Sequence, residues 1–212
     1  ADLKAIRSFL SLLKLLPRNL QTDHLFAEVR TMLTQEMNYS LEAAETANYR
    51  TALQDDPRFI VPKVYSEFCS EKIIATSFEP GLSADDPLIQ SLSQERRNRL
   101  AQNFLDLYFK ELFIWGVVQT DPHLGNYKIR ISPDGNDKLI LLDFGAIRKY
   151  PNEFLIPYYK MISSAVRGDN SNLEQAALQL QFVHQDDNPE LKKLFIDFCK
   201  ITVEPFADHE YD

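Results

Sequence analysis

Apolar residues recur at helical intervals over residues 2–16, from Leu3, Ile6 and Phe9 to Leu15 and Leu16, and Pro17 ends the run. Lys4, Arg7 and Lys14 lie opposite the apolar residues, as on a membrane-surface helix, but packing against its own domain is the expectation for this helix. A second helical pattern spans residues 23–50 through Leu25, Val29, Met32, Leu41, Ala44 and Ala47, and its polar face carries Glu36, Asn38 and Glu42. From the pattern alone these are surface charges. Asp55-Asp56-Pro57 breaks the helix. Residues 60–68 and 72–78 then read as two strands joined by the turn Cys69-Ser70-Glu71. Glu79-Pro80-Gly81 stops the second strand and is a candidate hinge, with an ordinary loop as the alternative.

Ser83 to Asp86 offers helix caps, with Pro87 at a first helical position. A helix after Ser93 carries Leu100, Phe104, Leu107 and Leu112 and ends near Gly116. Its arginines Arg96, Arg97 and Arg99 are expected on a solvated face. Residues 127–131 and 138–142 are strands around the turn 132–137. Beyond Gly145 the chain is expected to be helical, with helices opened by Pro151, by a capping box at Ser171-Asn172-Leu173-Glu174, and by Asn188-Pro189.

The chemistry is concentrated at Thr120-Asp121-Pro122-His123-Leu124-Gly125-Asn126, followed one hairpin later by Asp143-Phe144-Gly145. Asp-Pro and Gly-Asn are ordinary turn formers, and a lone Asp-Phe-Gly carries little weight. Together they place two carboxylates and an amide at one end of a hairpin. Oxygen donors of this kind suit Mg²⁺, which keeps waters and substrate phosphates in its shell. The D-x-x-x-x-N spacing followed by D-F-G is the kinase catalytic and metal pair. His123 beside Asp121 invites a metal reading, but with no second histidine nearby a structural hydrogen bond is at least as good an account.

The 212 residues suffice for one large or two small domains. A net charge of -8 argues against a general nucleic-acid binder but says little about nucleotides. Cys69 and Cys199 lack the spacing of a zinc site or a disulfide framework and read as buried thiols in a reducing compartment. No run of 18 apolar residues is present, so a cytoplasmic or peripheral-membrane setting is expected. Starting in helical pattern without Met, the chain reads as an excerpt of a longer protein.

Several segments together resemble the UbiB/AarF family of atypical, protein-kinase-like proteins linked to isoprenoid quinone metabolism. They are residues 36–44, beginning Glu36-Met37-Asn38 and containing Tyr39-Ser40-Leu41-Glu42-Ala43, then Val61-Pro62-Lys63-Val64-Tyr65, Phe78-Glu79-Pro80-Gly81, residues 121–126 and residues 141–145. The resemblance covers about residues 1–170. It implies an α+β, protein-kinase-like fold: the rear of a small lobe over residues 1–80, and a mainly helical large lobe over residues 81–212. It implies that Asp121 is the catalytic-loop aspartate and that Asn126 and Asp143 are metal ligands. Glu42 would be the small-lobe helix glutamate that pairs with a strand lysine, and Glu36 the first acid of the family's E-x-D motif. Here the second acid of that motif is the amide Asn38, and Leu124 stands where many members have proline.

The implied cofactors are ATP and Mg²⁺. Implied partners are a nucleotide and an isoprenoid lipid or quinone-pathway proteins, with membrane association through regions outside this chain left open. The family's nucleotide loop, its paired lysine and its K-x-G-Q element are expected upstream of residue 1, so residues 1–212 alone are expected to bind ATP weakly or not at all and to show no turnover. Two other readings stand beside this one. A small-molecule phosphotransferase of the aminoglycoside or choline kinase kind shares the loop but not the Tyr39-x-x-Glu42-Ala43 helix. A non-catalytic pseudokinase would keep the fold, though Asp121, Asn126 and Asp143 are all intact.

Overall fold

The structure, a computed structural model, describes residues 38–207 apart from Pro122. The expected helix over 2–16, the residues 23–37 of the second helical pattern, and Glu36 lie outside the described residues. Contacts divide the chain into two compact units, Ala1–Leu105 with Gln119–Ile147, and Asp106–Val118 with Arg148–Asp212.

In the first unit, helix α1 (Tyr39–Ala52) begins at Asn38, whose backbone is not helical and whose side-chain oxygen accepts from Leu41 N–H at 3.2 Å. A helix running unbroken through this point is therefore corrected: Asn38 caps a new helix start. Buried Tyr49 sets α1 against Phe144, ring centroids 4.6 Å apart. The segment then enters strand β1 (Phe59–Ile60), which lies parallel to β4 (Lys138–Leu141), and β4 is antiparallel to β3 (Tyr127–Arg130). Ile140 at the sheet centre is fully buried, flanked by Leu139 and Leu141.

The two strands expected over 60–68 and 72–78 are not continuous. Pro62 removes a donor, and a 3-10 turn occupies Ser66–Phe68. What survives is a loose hairpin with bridges Val64–Thr76 and Ser70–Ile73. The Glu79-Pro80-Gly81 corner is tied to β3: Arg130 pairs with Glu79 at 2.8 Å and donates to the Pro80 carbonyl at 3.0 Å. Leu82 exchanges backbone hydrogen bonds with Ile129 at 2.8 and 2.9 Å. A Cβ on Gly81 would stand 2.6 Å from Ile140 Cδ1, so only glycine lets the corner lie this close to the sheet.

Helix α2 (Pro87–Gln90) is capped by Asp86, and α3 (Gln94–Lys110) follows. Arg96 is not on a solvated face. It donates to buried Asp137 at 2.8 Å and to the Ser132 carbonyl at 3.1 Å, bracing the β3–β4 turn. Strand β2 (Val117–Gln119) pairs with β5 (Ile147–Lys149) in a second, two-stranded sheet. The expectation of helix directly after Gly145 is corrected by β5, where partner hydrogen bonds and β-branched Ile147 favour extended backbone.

In the second unit, α3 gives way to a π-helical turn at Glu111–Trp115, closed by Gly116 in the left-handed region at φ 66°. Helices α4 (Asn152–Val166), α5 (Asn170–Gln179) and α6 (Pro189–Ala207) pack around Met161, Leu173, Ala176, Ala177, Cys199 and Val203. Ala176 and Ala177 are fully buried and let the helices approach closely. The cap of α5 is Asp169, whose side chain accepts from Asn172 N–H at 3.1 Å. The expected box at Ser171 is thus displaced by an aspartate two residues earlier. No helix among the described residues is long and apolar enough to cross a membrane.

Candidate active site

The segment after β2 reverses direction in a short 3-10 turn at Leu124–Asn126 and runs into β3. His123 Nδ1 accepts from Gly125 N–H at 3.0 Å, and Asn126 N–H donates to the His123 carbonyl at 2.9 Å. His123 therefore holds the turn, and its Nδ1 lone pair is engaged there. Asn126 Nδ2 donates to the Asp121 backbone carbonyl at 3.0 Å. With its nitrogen so committed, the amide leaves Oδ1 as the acceptor. The Asp121 residue is exposed.

The hairpin brings the third predicted residue alongside. Tyr127 is opposite Leu141 in the β3–β4 register, and Leu142 N–H donates to the Asn126 carbonyl at 2.9 Å. Asp143 follows directly. Its Oδ1 accepts from Gly145 N–H at 2.9 Å, and its other oxygen takes no hydrogen bond among the described residues. The half-buried Glu42 of α1 borders the same glycine: a Cβ on Gly145 would stand 3.3 Å from Asp143 Oδ1 and 3.8 Å from Glu42 Oε2. Burial first, and then the Asp143 charge, push the Glu42 carboxyl above the ordinary glutamate range. Asp121, Asn126, Asp143 and Glu42 thus fall in one unit and around one hairpin end; Glu36 lies outside the described residues.

A further residue in this region carries no sequence motif of its own. Gln119 is buried on β2. Its Nε2 donates to the backbone carbonyl of Asp143, and its Oε1 accepts from the Tyr127 hydroxyl. The signal available in the sequence was a polar side chain ending the apolar run before Thr120-Asp121. Buried polar groups need partners, so such a residue marks a network.

Among the described residues, no three His, Cys, Asp or Glu side chains converge on a metal-sized point. Mg²⁺ is commonly held by only one or two protein oxygens, with waters and phosphates completing the shell. Asn126 Oδ1 and the Asp143 carboxylate are the groups at this hairpin end that could hold such an ion.

The fold matches that of Rv3197 from Mycobacterium tuberculosis, solved as an erythromycin complex, with a TM-score of 0.71 at 21% identity over 100% of this chain and 56% of the other. That likeness shows a shared fold, and the kinase-like class of the fold comes from the family match. A profile of the ABC1 atypical kinase-like domain matches residues 1–177, and the chain belongs to that family. It is 29% identical to the "Atypical kinase COQ8, mitochondrial" of Saccharomyces cerevisiae, over 100% of this chain and 42% of the yeast protein. It is 31% identical to the "Atypical kinase COQ8B, mitochondrial" of Rattus norvegicus, over 95% of this chain and 38% of the rat protein. The chain thus spans about two fifths of the length of these relatives. Kinase-like families of this kind generally use ATP and Mg²⁺.

Proposed function

We propose that this chain forms part of a Mg-ATP-dependent, UbiB-type kinase-like ATPase or phosphotransferase acting in isoprenoid quinone or lipid metabolism. The observation that carries the reading is the hydrogen-bonded hairpin end that groups Asp121, Asn126 and Asp143. Family membership and the similarity to the yeast and rat atypical kinases support it.

In this reading Asp121 orients the nucleophile, an acceptor hydroxyl or water, and receives its proton. Asn126 Oδ1 and Asp143 hold Mg²⁺. When bound, that ion neutralises charge on the β- and γ-phosphates. Glu42 orients a cation of the small lobe, and Glu36 contributes an acid near the nucleotide. The electrostatics agree with such a role for Glu42: its carboxyl is half-buried beside Asp143, where a positive group would relieve the repulsion.

The test is calorimetric binding of Mg²⁺ and ATP to residues 1–212 and to the complete protein, each with and without Asp143→Asn. Support is Mg²⁺-dependent binding by the complete protein that the substitution abolishes. If the complete protein binds no nucleotide, the catalytic reading fails and a non-catalytic binding module takes its place.

A further inference from the structure

We infer that Gln119 is a positioning residue for the metal-binding side of the site, acting through the backbone of Asp143. The inference rests on the function proposed above and adds a residue to it.

The Asp143 carbonyl can only accept, so the Gln119 amide must present Nε2 to it. That orientation turns Oε1 the other way, where the Tyr127 hydroxyl donates to it. These two partners fix the orientation of the amide. Burial makes both bonds worth more, because a buried amide with an unmade bond has no water to turn to.

The three linked residues are spaced along the chain in a telling way. Gln119 lies two positions before Asp121, Tyr127 directly follows Asn126, and Asp143 is itself the third candidate residue. One side-chain amide therefore links the Asp143 backbone to the side chain of the residue next to Asn126. The Tyr127 ring is in turn wedged edge-on against Phe104 of α3, with centroids 5.0 Å apart. This gives the link a rigid backstop in the apolar core. A carboxylate that holds a metal must be kept in place by its own surroundings, and outer partners commonly matter nearly as much as ligands. The Asp143 side chain is steadied by Gly145 N–H. Gln119 steadies its main chain.

The complete protein and its variants Gln119→Met, Gln119→Glu, Tyr127→Phe and Asp143→Asn would be titrated with Mn²⁺, followed by electron paramagnetic resonance, with thermal melting of each variant alongside. Methionine keeps the length of Gln119 and removes both bonds. Glutamate keeps an acceptor for Tyr127 and sets a second acceptor against the Asp143 carbonyl. The expected result is a loss of Mn²⁺ affinity on the order of tenfold in both Gln119 variants, measured on the folded protein well below melting transitions that themselves fall because buried groups lose their partners. Tyr127→Phe should lose affinity as well, on the order of tenfold, the lower end of the scale for outer partners. A purely structural Gln119 would lower the melting temperature and leave Mn²⁺ affinity unchanged in the folded protein, and that result overturns the inference. If Gln119→Met does not fold, Tyr127→Phe decides: parental Mn²⁺ affinity in that variant also overturns it. If Asp143→Asn binds Mn²⁺ like the parent, the metal site itself is wrong and both readings fall. If Asp143→Asn loses binding while the Gln119 variants keep it, only the role of Gln119 falls.

Discussion

The side-chain nitrogen of Asn126 donates to the backbone carbonyl of Asp121 across 3.0 Å. This bond makes the candidate catalytic loop a closed ring and fixes which end of the amide faces outward. Asn126→Asp tests its importance against charge. Aspartate brings an extra oxygen and a negative charge, both attractive to a cation, but cannot donate to Asp121. Mg²⁺-dependent ATP binding by the complete protein is expected to fall by about tenfold, with faster amide hydrogen exchange at Gly125 and Asn126. Equal or tighter binding would show that charge outweighs the ring.

The tight corner at Gly81 makes a prediction about stability alone. An alanine there would place its Cβ 2.6 Å from Ile140 Cδ1, 3.0 Å from Lys128 Cβ and 3.2 Å from the Ile129 carbonyl. The side-chain end can shift; the backbone of β3 cannot do so without disturbing the Leu82–Ile129 bonds. Gly81→Ala is expected to cost about 1–3 kcal/mol, read as a lower denaturant midpoint at unchanged slope. A midpoint equal to the parent's would mean that the corner is free to lift off the sheet.

Asp137 predicts an acid-sensitive brace. Burial pushes its carboxyl up, but hydrogen bonds from Arg96 and Ser132 N–H, with the charges of Arg96 and Arg99, outweigh burial and hold it below the ordinary aspartate range. A carboxylate depressed in the folded state adds stability above its unfolded value, near pH 4, and loses it as pH falls through the folded value. Asp137→Asn should therefore melt lower than the parent at pH 7. The gap should close as pH drops below about 4. A gap independent of pH would assign the loss to packing instead.

The β3–β4 hairpin, the helix opened by Pro151 and the α6 start at Asn188-Pro189 were legible because local chemistry decides them. Alternating apolar residues flank a Pro-Asp-Gly turn, and prolines sit where a helix lacks donors anyway. The grouping of the three candidate residues was legible for a similar reason: Asp121, Asn126 and Asp143 keep a spacing that a single hairpin closes. The broken strands over 60–78 were not legible. Their β-rich composition is real, but no long partner strand pairs with them among the described residues, and the bridges at Val64 and Ser70 are isolated. Likewise Asp169 outcompeted Ser171 as a cap, a choice made by where α4 ends and α5 can begin.

Arg96 and Gln119 mark the division most clearly. By itself the sequence determined which residues carry charge or chemistry and how far apart they stand along the chain. Local periodicity and turn residues then set most helices and the site hairpin. Only the tertiary structure decided that Arg96 turns inward to Asp137 across 41 positions, and that Gln119 reaches Asp143 across 24. The physical reason is that a polar side chain's partner is chosen by burial. Once water is excluded, an unmade hydrogen bond is costly, and the nearest complementary group in space supplies it whatever its distance in sequence.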